Sequence, residues 1–357
     1  MRKYIIALLI MVIAFDGLNN LREVTDLAIV KAIGIDMTED GQYKTTAIVI
    51  DTSNKEAQNE GIIYESIGES VHDSARKIVN ESPKKLYLAQ METLVLSEDI
   101  AKNNFEDTLG FFIRDNEGSN AFYLFVANGC SSEELVKSIN KEQINIKSLL
   151  NTSAKYRGNC NLNSLNDILK DKMKPGIDIT INSASINDEN IKISDMAYFK
   201  GWSMKGYLTD QESILYNLLC NNLSNTILVA GQSDDRIGAE IISSKTSMSL
   251  DKKNNNKINF NIKIKANISE TGSNVRILNS EQIEYAQNSL EERVKADVND
   301  FLLKIKNEYD SDIIGFGNLM YRKKDDLYKE ENYLSQIETD VNVEVDIQNQ
   351  GGVTKKW

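Results

Sequence analysis

The sequence holds one histidine, three cysteines and two prolines in 357 residues. A lone imidazole rules out a multi-histidine metal site and leaves little material for a Ser-His or Cys-His nucleophile pair. That histidine, His72, stands in Ser70-Val71-His72-Asp73, early in a helical pattern, where a surface or capping role is expected. Cys130, Cys160 and Cys220 are odd in number and far apart, so their spacing offers no metal knuckle and no redox couple. One disulfide with a spare thiol and three idle thiols are both compatible with it. Pro83 and Pro175 are the only prolines, and no Pro- or Ser-rich linker is visible, so domain boundaries belong in short polar loops.

Basic residues are also in deficit, 41 against 53 acids, for a net charge of −12. Nucleic-acid binders draw most of their affinity from Lys and Arg neutralising phosphates. No basic stripe with interleaved aromatics is present, and Arg322-Lys323-Lys324 runs straight into Asp325-Asp326. A nucleic-acid partner is therefore excluded. Phosphate cradles are missing too: there is no G-x-G-x-x-G opening a helix and no Lys-ending phosphate loop. Gly315-Phe316-Gly317 is an isolated G-x-G, best explained by two turn positions that need positive φ. No G-x-S-x-G nucleophile elbow occurs. Acid pairs such as Glu133-Glu134 and Asp234-Asp235 arise readily among 53 carboxylates and point to no hydrolase. The expectation is a protein without catalytic, cofactor or metal residues.

What is present is a chain of ordinary globular composition, 41% apolar and 26% charged, long enough for two or three domains. Arg2 and Lys3 precede an apolar run from Tyr4 to Phe15, closed by Asp16-Gly17. This has the form of a secretory signal. As a helix it would be about 18 Å long at 1.5 Å per residue, too short for a bilayer core of about 30 Å. The basic start places the remainder outside the membrane. Small residues for ordinary cleavage are poorly arranged, and Leu18 follows Gly17 where lipoprotein processing would need a cysteine.

From Leu27 onward the pattern is mixed. Leu27–Ile35 and Tyr43–Ile50 flank an acidic, Gly-bearing turn and read as a hairpin. Ile62, Ile63, Ile67, Val71, Ala75, Ile78 and Val79 recur at three- and four-residue steps, predicting an amphipathic helix. Glu92–Leu96 reads as a buried strand, Ile100–Ile113 as helix and Ala121–Ala127 as strand, and Ser131-Ser132-Glu133-Glu134 caps a further helix. Residues 150–195 are less regular, rich in Asn, Asp and Ser, with a Lys174-Pro175-Gly176 turn and a strand-like Ile177–Ile181. A helix is expected from Thr209 to about Leu223 and a long one from about Glu281 to Tyr309. Between them Ile258, Phe260, Ile262, Ile264, Ala266 and Ile268 alternate, the return strand of a hairpin with one face on a core; Val341–Ile347 alternates again. The fold class is α+β, multi-domain, with antiparallel or mixed sheets flanked by helices. The expected divisions are an apolar anchor over 1–18, an α+β domain over 19–149, a boundary or small subdomain over 150–195 and a second α+β domain over 196–357.

Arg22-Glu23-Val24-Thr25-Asp26-Leu27-Ala28-Ile29-Val30 with Gly34-Ile35-Asp36 resembles the opening of the Ger(x)C family of spore germination proteins. Arg76, Lys84-Lys85-Leu86-Tyr87 and Phe111-Phe112-Ile113-Arg114-Asp115 resemble that family's N-terminal half. Phe199-Lys200, Gly206-Tyr207-Leu208 with Glu212, and Asp312-Ile313-Ile314-Gly315-Phe316-Gly317 resemble its C-terminal half. Order and spacing over residues 22–350 make the set specific. The resemblance implies a non-enzymatic α+β protein of three domains, the C subunit of a nutrient-germinant receptor. Its partners would be integral-membrane A and B subunits on the extracytoplasmic face of the spore inner membrane. The alternative is an exported module that binds the germinant itself. Glu23, Arg114, Asp115, Phe199, Lys200, Gly206, Tyr207, Gly315, Phe316 and Gly317 are expected first as fold determinants and second as partner contacts. Family members carry a lipidated Cys followed by Trp ahead of the position matching Glu23; here Leu18 and Asn19 stand there.

If the Tyr4–Phe15 segment replaces the lipid as anchor, intact mass of the membrane-extracted protein will show residues 1–17 attached and no diacylglyceryl group. A mature chain that lacks residues 1–17 and still fractionates with membrane without partners would refute this.

Overall fold

The computed structural model describes residues 27–50, 61–82, 84–114, 119–188, 190–254, 256–275 and 279–349. Leu18, Glu23 and Asp115, the Tyr4–Phe15 run and Pro83 lie outside them.

Two sheets organise the chain. The first has nine strands. β1 (Leu27–Met37) and β2 (Tyr43–Ile50) form the expected hairpin, and β3 (Ile62–Gly68) continues it antiparallel. The short β4 (Lys85–Tyr87) pairs with the beginning of β1. β5 (Thr93–Leu96), β6 (Tyr123–Ala127) and β7 (Thr180–Asn187) then add beside β1 in parallel. β8 (Asn190–Lys200) and β9 (Ser203–Leu208) close the sheet antiparallel, for an order of β3-β2-β1-β5-β6-β7-β8-β9.

Parallel neighbours need long crossovers, which helices supply. Helices α1 (Val71–Lys77), α2 (Glu98–Asn103) and α3 (Phe105–Arg114) lie on one face, where Ile100, Phe105, Leu109 and Phe112 pack on Ile33, Ile35, Leu94 and Leu96. Helices α4 (Ser132–Lys141) and α5 (Ile146–Tyr156) cover the other, where Leu135, Val136, Ile139 and Leu150 meet Ala32, Val95 and Phe125. The central strands are therefore apolar without alternation: Thr93–Leu96 is buried throughout. Val30 and Ile33 share a face although three residues apart, because the β1–β2 register slips between Val30 and Ala32. Helix α6 (Leu165–Lys172) and β7 place the Asn-rich stretch against the same sheet. Its buried Asn161 is clamped by Asn182, which accepts from Asn161 N at 3.0 Å and donates to Asn161 O at 2.9 Å.

The second sheet has four strands, β10 (Ile227–Ala230), β11 (Ile237–Leu250), β12 (Lys257–Thr271) and β13 (Glu338–Asn349), in that order. The β11–β12 hairpin is the expected one, and β13 joins β12 in parallel. The 25-residue helix α8 (Ser280–Lys304) is the crossover. Its stripe Ala286, Leu290, Val294, Val298 and Phe301 shares one core with Ile258, Phe260, Ile262, Ile264 and Ala266. Helix α7 (Asp210–Leu219) begins where Thr209 and Glu212 form a capping box, and packs against both sheets.

The helical spacing read across Ile62–Val79 divides in the structure. Ile62-Ile63-Tyr64 is β-branched and aromatic, suited to a pleated strand, and β3 is an edge strand, so Ile62 and Ile67 remain 45% exposed. Helix begins only after Ser70, whose side chain accepts from Asp73 N. Ile100–Ile113 likewise resolves into α2 and α3, parted at Asn104, each with its own acidic first turn. The three cysteines are free thiols; burial pushes Cys160 and Cys220 up to about 12.

Asp36, read as part of the hairpin turn, caps α4 instead. Its carboxylate accepts from Ser132 N (2.9 Å), Ser132 Oγ (2.7 Å) and Glu133 N (2.9 Å) while buried. Asp36→Ala leaves those donors unpaired and should cost about 2–3 kcal/mol, read as a lower urea midpoint with an unchanged slope.

Candidate functional site

The sequence-derived motif residues gather mainly at the joint between the two sheets. After α8 the chain winds one π-helical turn, Ile305–Tyr309, and reverses at Asp310, a left-handed residue (φ 48°). Gly315, with φ +86°, then turns the chain so that three successive N–H groups point back at Asp312. The Asp312 carboxylate accepts from Gly315 N (2.7 Å), Phe316 N (2.9 Å), Gly317 N (2.7 Å) and Tyr333 Oη (2.6 Å), and the residue is only 3% exposed. This is an anion nest at the start of helix α9 (Phe316–Arg322), already filled by the chain's own carboxylate. A phosphate has no place in it.

Gly317 corrects the sequence reading. Its φ is not positive; what requires glycine there is contact, since a Cβ would sit 2.9 Å from Gly176 Cα. Gly176 does carry a positive φ, +66°, and faces the Gly317 backbone in turn. Across this approach Asn318 N donates to Gly176 O (2.7 Å) and Asn318 Nδ2 to Pro175 O (3.0 Å). Asp178 completes the joint: its N donates to Asp312 O (2.9 Å), and its carboxylate accepts from Asp312 N (3.0 Å), Gly201 N (2.9 Å) and Ser311 Oγ (3.3 Å). Ser311 Oγ also donates to Phe199 O, and Lys200 pairs with Asp310.

Phe199 and Phe316 are both fully buried, on opposite sides of the joint. Phe199 packs against Phe105 with the rings tilted (4.7 Å between centroids) in the first core, and Phe316 meets Phe260 edge-on (6.0 Å) in the second. Gly206 lies under the Tyr198 ring, 3.0 Å from where its Cβ would be, and Tyr198 stacks on Tyr309 at 4.6 Å. Beside them Glu212 accepts from Lys304 Nζ (2.6 Å) and Thr209 N (2.8 Å). Burial opposes its ionisation, but Lys304, Thr209 and Tyr309 together hold its carboxyl below the usual range. Tyr207 is half-buried, with its hydroxyl 3.5 Å from Ala127 O.

Arg114 is elsewhere. With Arg76 it lines a cleft of about 830 Å³ between α1 and α3, floored by Val71, Ala75, Leu88 and Phe111. His72 is exposed there, its ring over Phe111 with centroids 5.6 Å apart; the cap of α1 is Ser70. Among the described residues no group of three or more His, Cys, Asp or Glu is placed to hold a metal ion. Sequence reasoning passed over Asp178 and Tyr333 and named Gly176 only as part of a turn. Asp178 carries no signal in a chain of 53 acids. The Pro-Gly turn was visible, but not what it touches.

Two family models match the chain in succession: the spore germination protein N-terminal domain over residues 20–186, and the spore germination B3/GerAC-like C-terminal domain over 194–351. They meet in the β7–β8 hairpin, whereas the hydrogen-bonded sheet continues to Leu208. The chain is 26% identical to spore germination protein KC of Bacillus subtilis (strain 168), across 98% of its own length and 96% of the relative's. It is 21% identical to spore germination protein B3 of the same organism, across 85% and 84%. Among solved structures, the crystal structure of the GerBC protein superposes with a TM-score of 0.56 at 17% identity, covering 92% of this chain and 100% of that one. That likeness confirms the mixed α/β fold.

Burial pushes the Asp312 carboxyl up from 3.8 to about 6, against the pull of Tyr333 and the three backbone donors. The folded state thus holds this proton more tightly than the unfolded chain does. Its contribution to stability is complete below about pH 4 and is lost as pH rises through about 6. Since a tenfold change in proton affinity is about 1.4 kcal/mol, the loss is about 3 kcal/mol. Asp312→Asn, which cannot titrate, should be less stable at every pH, with its deficit shrinking by that order between pH 4 and 7 in paired denaturation curves.

Proposed function

The chain belongs to the Ger(x)C family of spore germination proteins, the germinant-receptor C subunits, and from that premise we propose that it is the non-enzymatic C subunit of a spore nutrient-germinant receptor. It acts with integral-membrane A and B subunits at the extracytoplasmic face of the spore inner membrane. The observation that carries this reading is continuity. The two family models match residues 20–186 and 194–351 in order, and the described chain supplies two sheet cores joined by the family motif itself.

The joint supports a structural role for the motif. Phe199, Lys200, Gly315, Phe316 and Gly317 hold the two sheets in one fixed relation, so surfaces on both are presented together to a partner. No helix among the described residues is long and apolar enough to cross a membrane. In this reading the Tyr4–Phe15 segment, which lies outside the described residues, retains the chain together with the partner subunits. A single short apolar element is a marginal anchor, as one acyl chain is, and a second attachment through partners makes it adequate.

Affinity purification of the tagged chain from dormant-spore membranes should recover A- and B-type subunits. In spores lacking those partners, most of the chain should shift to the soluble fraction. Recovery of the chain alone, equally soluble with and without them, would replace this reading with an independent exported binding protein.

A further inference from the structure

We infer that the cleft between α1 and α3 is a binding site for a small organic carboxylate with an apolar body. The inference rests on the cleft alone and stands whether or not the chain assembles with membrane partners.

Its volume, about 830 Å³, falls among ligand clefts and not among packing defects. Val71, Ala75 and Leu88 form a buried floor, and Phe111 and Val79 extend it as apolar surface left facing water. Both helices contribute at one-turn steps, His72, Ala75 and Arg76 from α1, with Val79 from the 3-10 turn that follows it, and Asp107, Phe111 and Arg114 from α3, so each presents a single face to the space.

The charge arrangement on these walls suits an anionic ligand. Arg157, Arg236 and Arg293 are paired with Asp210, Glu270 and Asp297. Arg76 and Arg114 have no carboxylate partner among the described residues, although acids outnumber bases in the chain and Glu69 and Asp107 lie on the same walls. An unpaired guanidinium is a planar fork of donors matched to a carboxylate.

Gly110 is the second observation. Glycine inside a helix is unfavourable relative to alanine, yet it occupies the middle of α3, where the Arg114 guanidinium folds back over it. A Cβ at Gly110 would meet Arg114 Nη1 at 2.9 Å. The glycine gives that guanidinium room beside the Phe111 wall. An apolar floor, an aromatic face and two unpaired guanidiniums together favour a compact amphipathic acid over an extended polypeptide, which would need a groove running past the cleft.

Titration calorimetry of the full chain in non-ionic detergent, with 3-phenylpropionate and its uncharged amide as probes, tests this. The acid should bind, with the amide and the Arg76→Gln and Arg114→Gln variants each weaker by about tenfold or more, the loss expected for a charge-assisted contact. Gly110→Ala should weaken binding several-fold while keeping or raising the melting temperature, which separates guanidinium placement from misfolding. Equal binding of acid and amide, or no heat from the acid up to about 10 mM, overturns the proposal. So does binding of poly-L-glutamate without binding of the acid, which would make the cleft a protein-docking surface.

Discussion

The structure turns on the capture of Asp312 by the backbone that follows it. A carboxylate taken out of water is tolerable only when every lone pair finds a donor, and here three peptide N–H groups and a tyrosine hydroxyl supply them. Satisfying that one side chain fixes the path of residues 312–317, starts α9 and brings Gly317 against Gly176. Asp178 then ties the same segment to β7 and to the β8–β9 turn. Elsewhere the same device recurs. Asp36 fastens α4 to β1, and Glu212 fastens α7 to α8. A chain rich in acid uses buried carboxylates as connectors, each aimed at backbone donors or at one lysine.

What the sequence disclosed follows from how local each signal is. The alternation from Ile258 to Ile268 records a strand with one wet face, and it survives because nothing packs on the outer side. The Ser131/Glu134 capping box is readable because both halves lie within one turn of helix, and the Thr209/Glu212 box found in the structure has the same spacing. The parallel pairing inside the first sheet is silent for the opposite reason. β5 and β6 are short, buried on both faces and without period, so their parallel pairing depends on crossovers that no local pattern encodes. Ile62–Ile67 matched a helical spacing that its β-branched residues and its place at the sheet edge overrode. The Asn-rich stretch reads as a boundary or small subdomain because asparagine favours loops; what its sequence does not disclose is that the buried Asn182, and Asn217 from α7, spend their amides on the backbone of residues 158–161.

The motif residues divide in the same way. Phe199, Phe316 and Gly315 were recognisable as fold determinants from type alone: bulky aromatics for a core, glycine for a turn. Gly317 was assigned the wrong physical need, because proximity of two backbones leaves no mark on the residue's own neighbours. The location of Arg114 at the α1–α3 cleft emerges only once Arg76 and Phe111 stand beside it.

The Asp178–Asp312 contact spans 134 residues, and Asn318 reaches back 143 to Pro175. Contacts of that range form last, because the loop they close must be ordered first. A chain delivered from its N-terminus therefore completes the first sheet while the Pro175–Asp178 segment still lacks its partners from residues 311–318. The first sheet is assembled early but its seam with residues 311–318 closes late, and a ribosome that stalls before residue 312 would leave the Asp178 carboxylate and Gly176 without their partners.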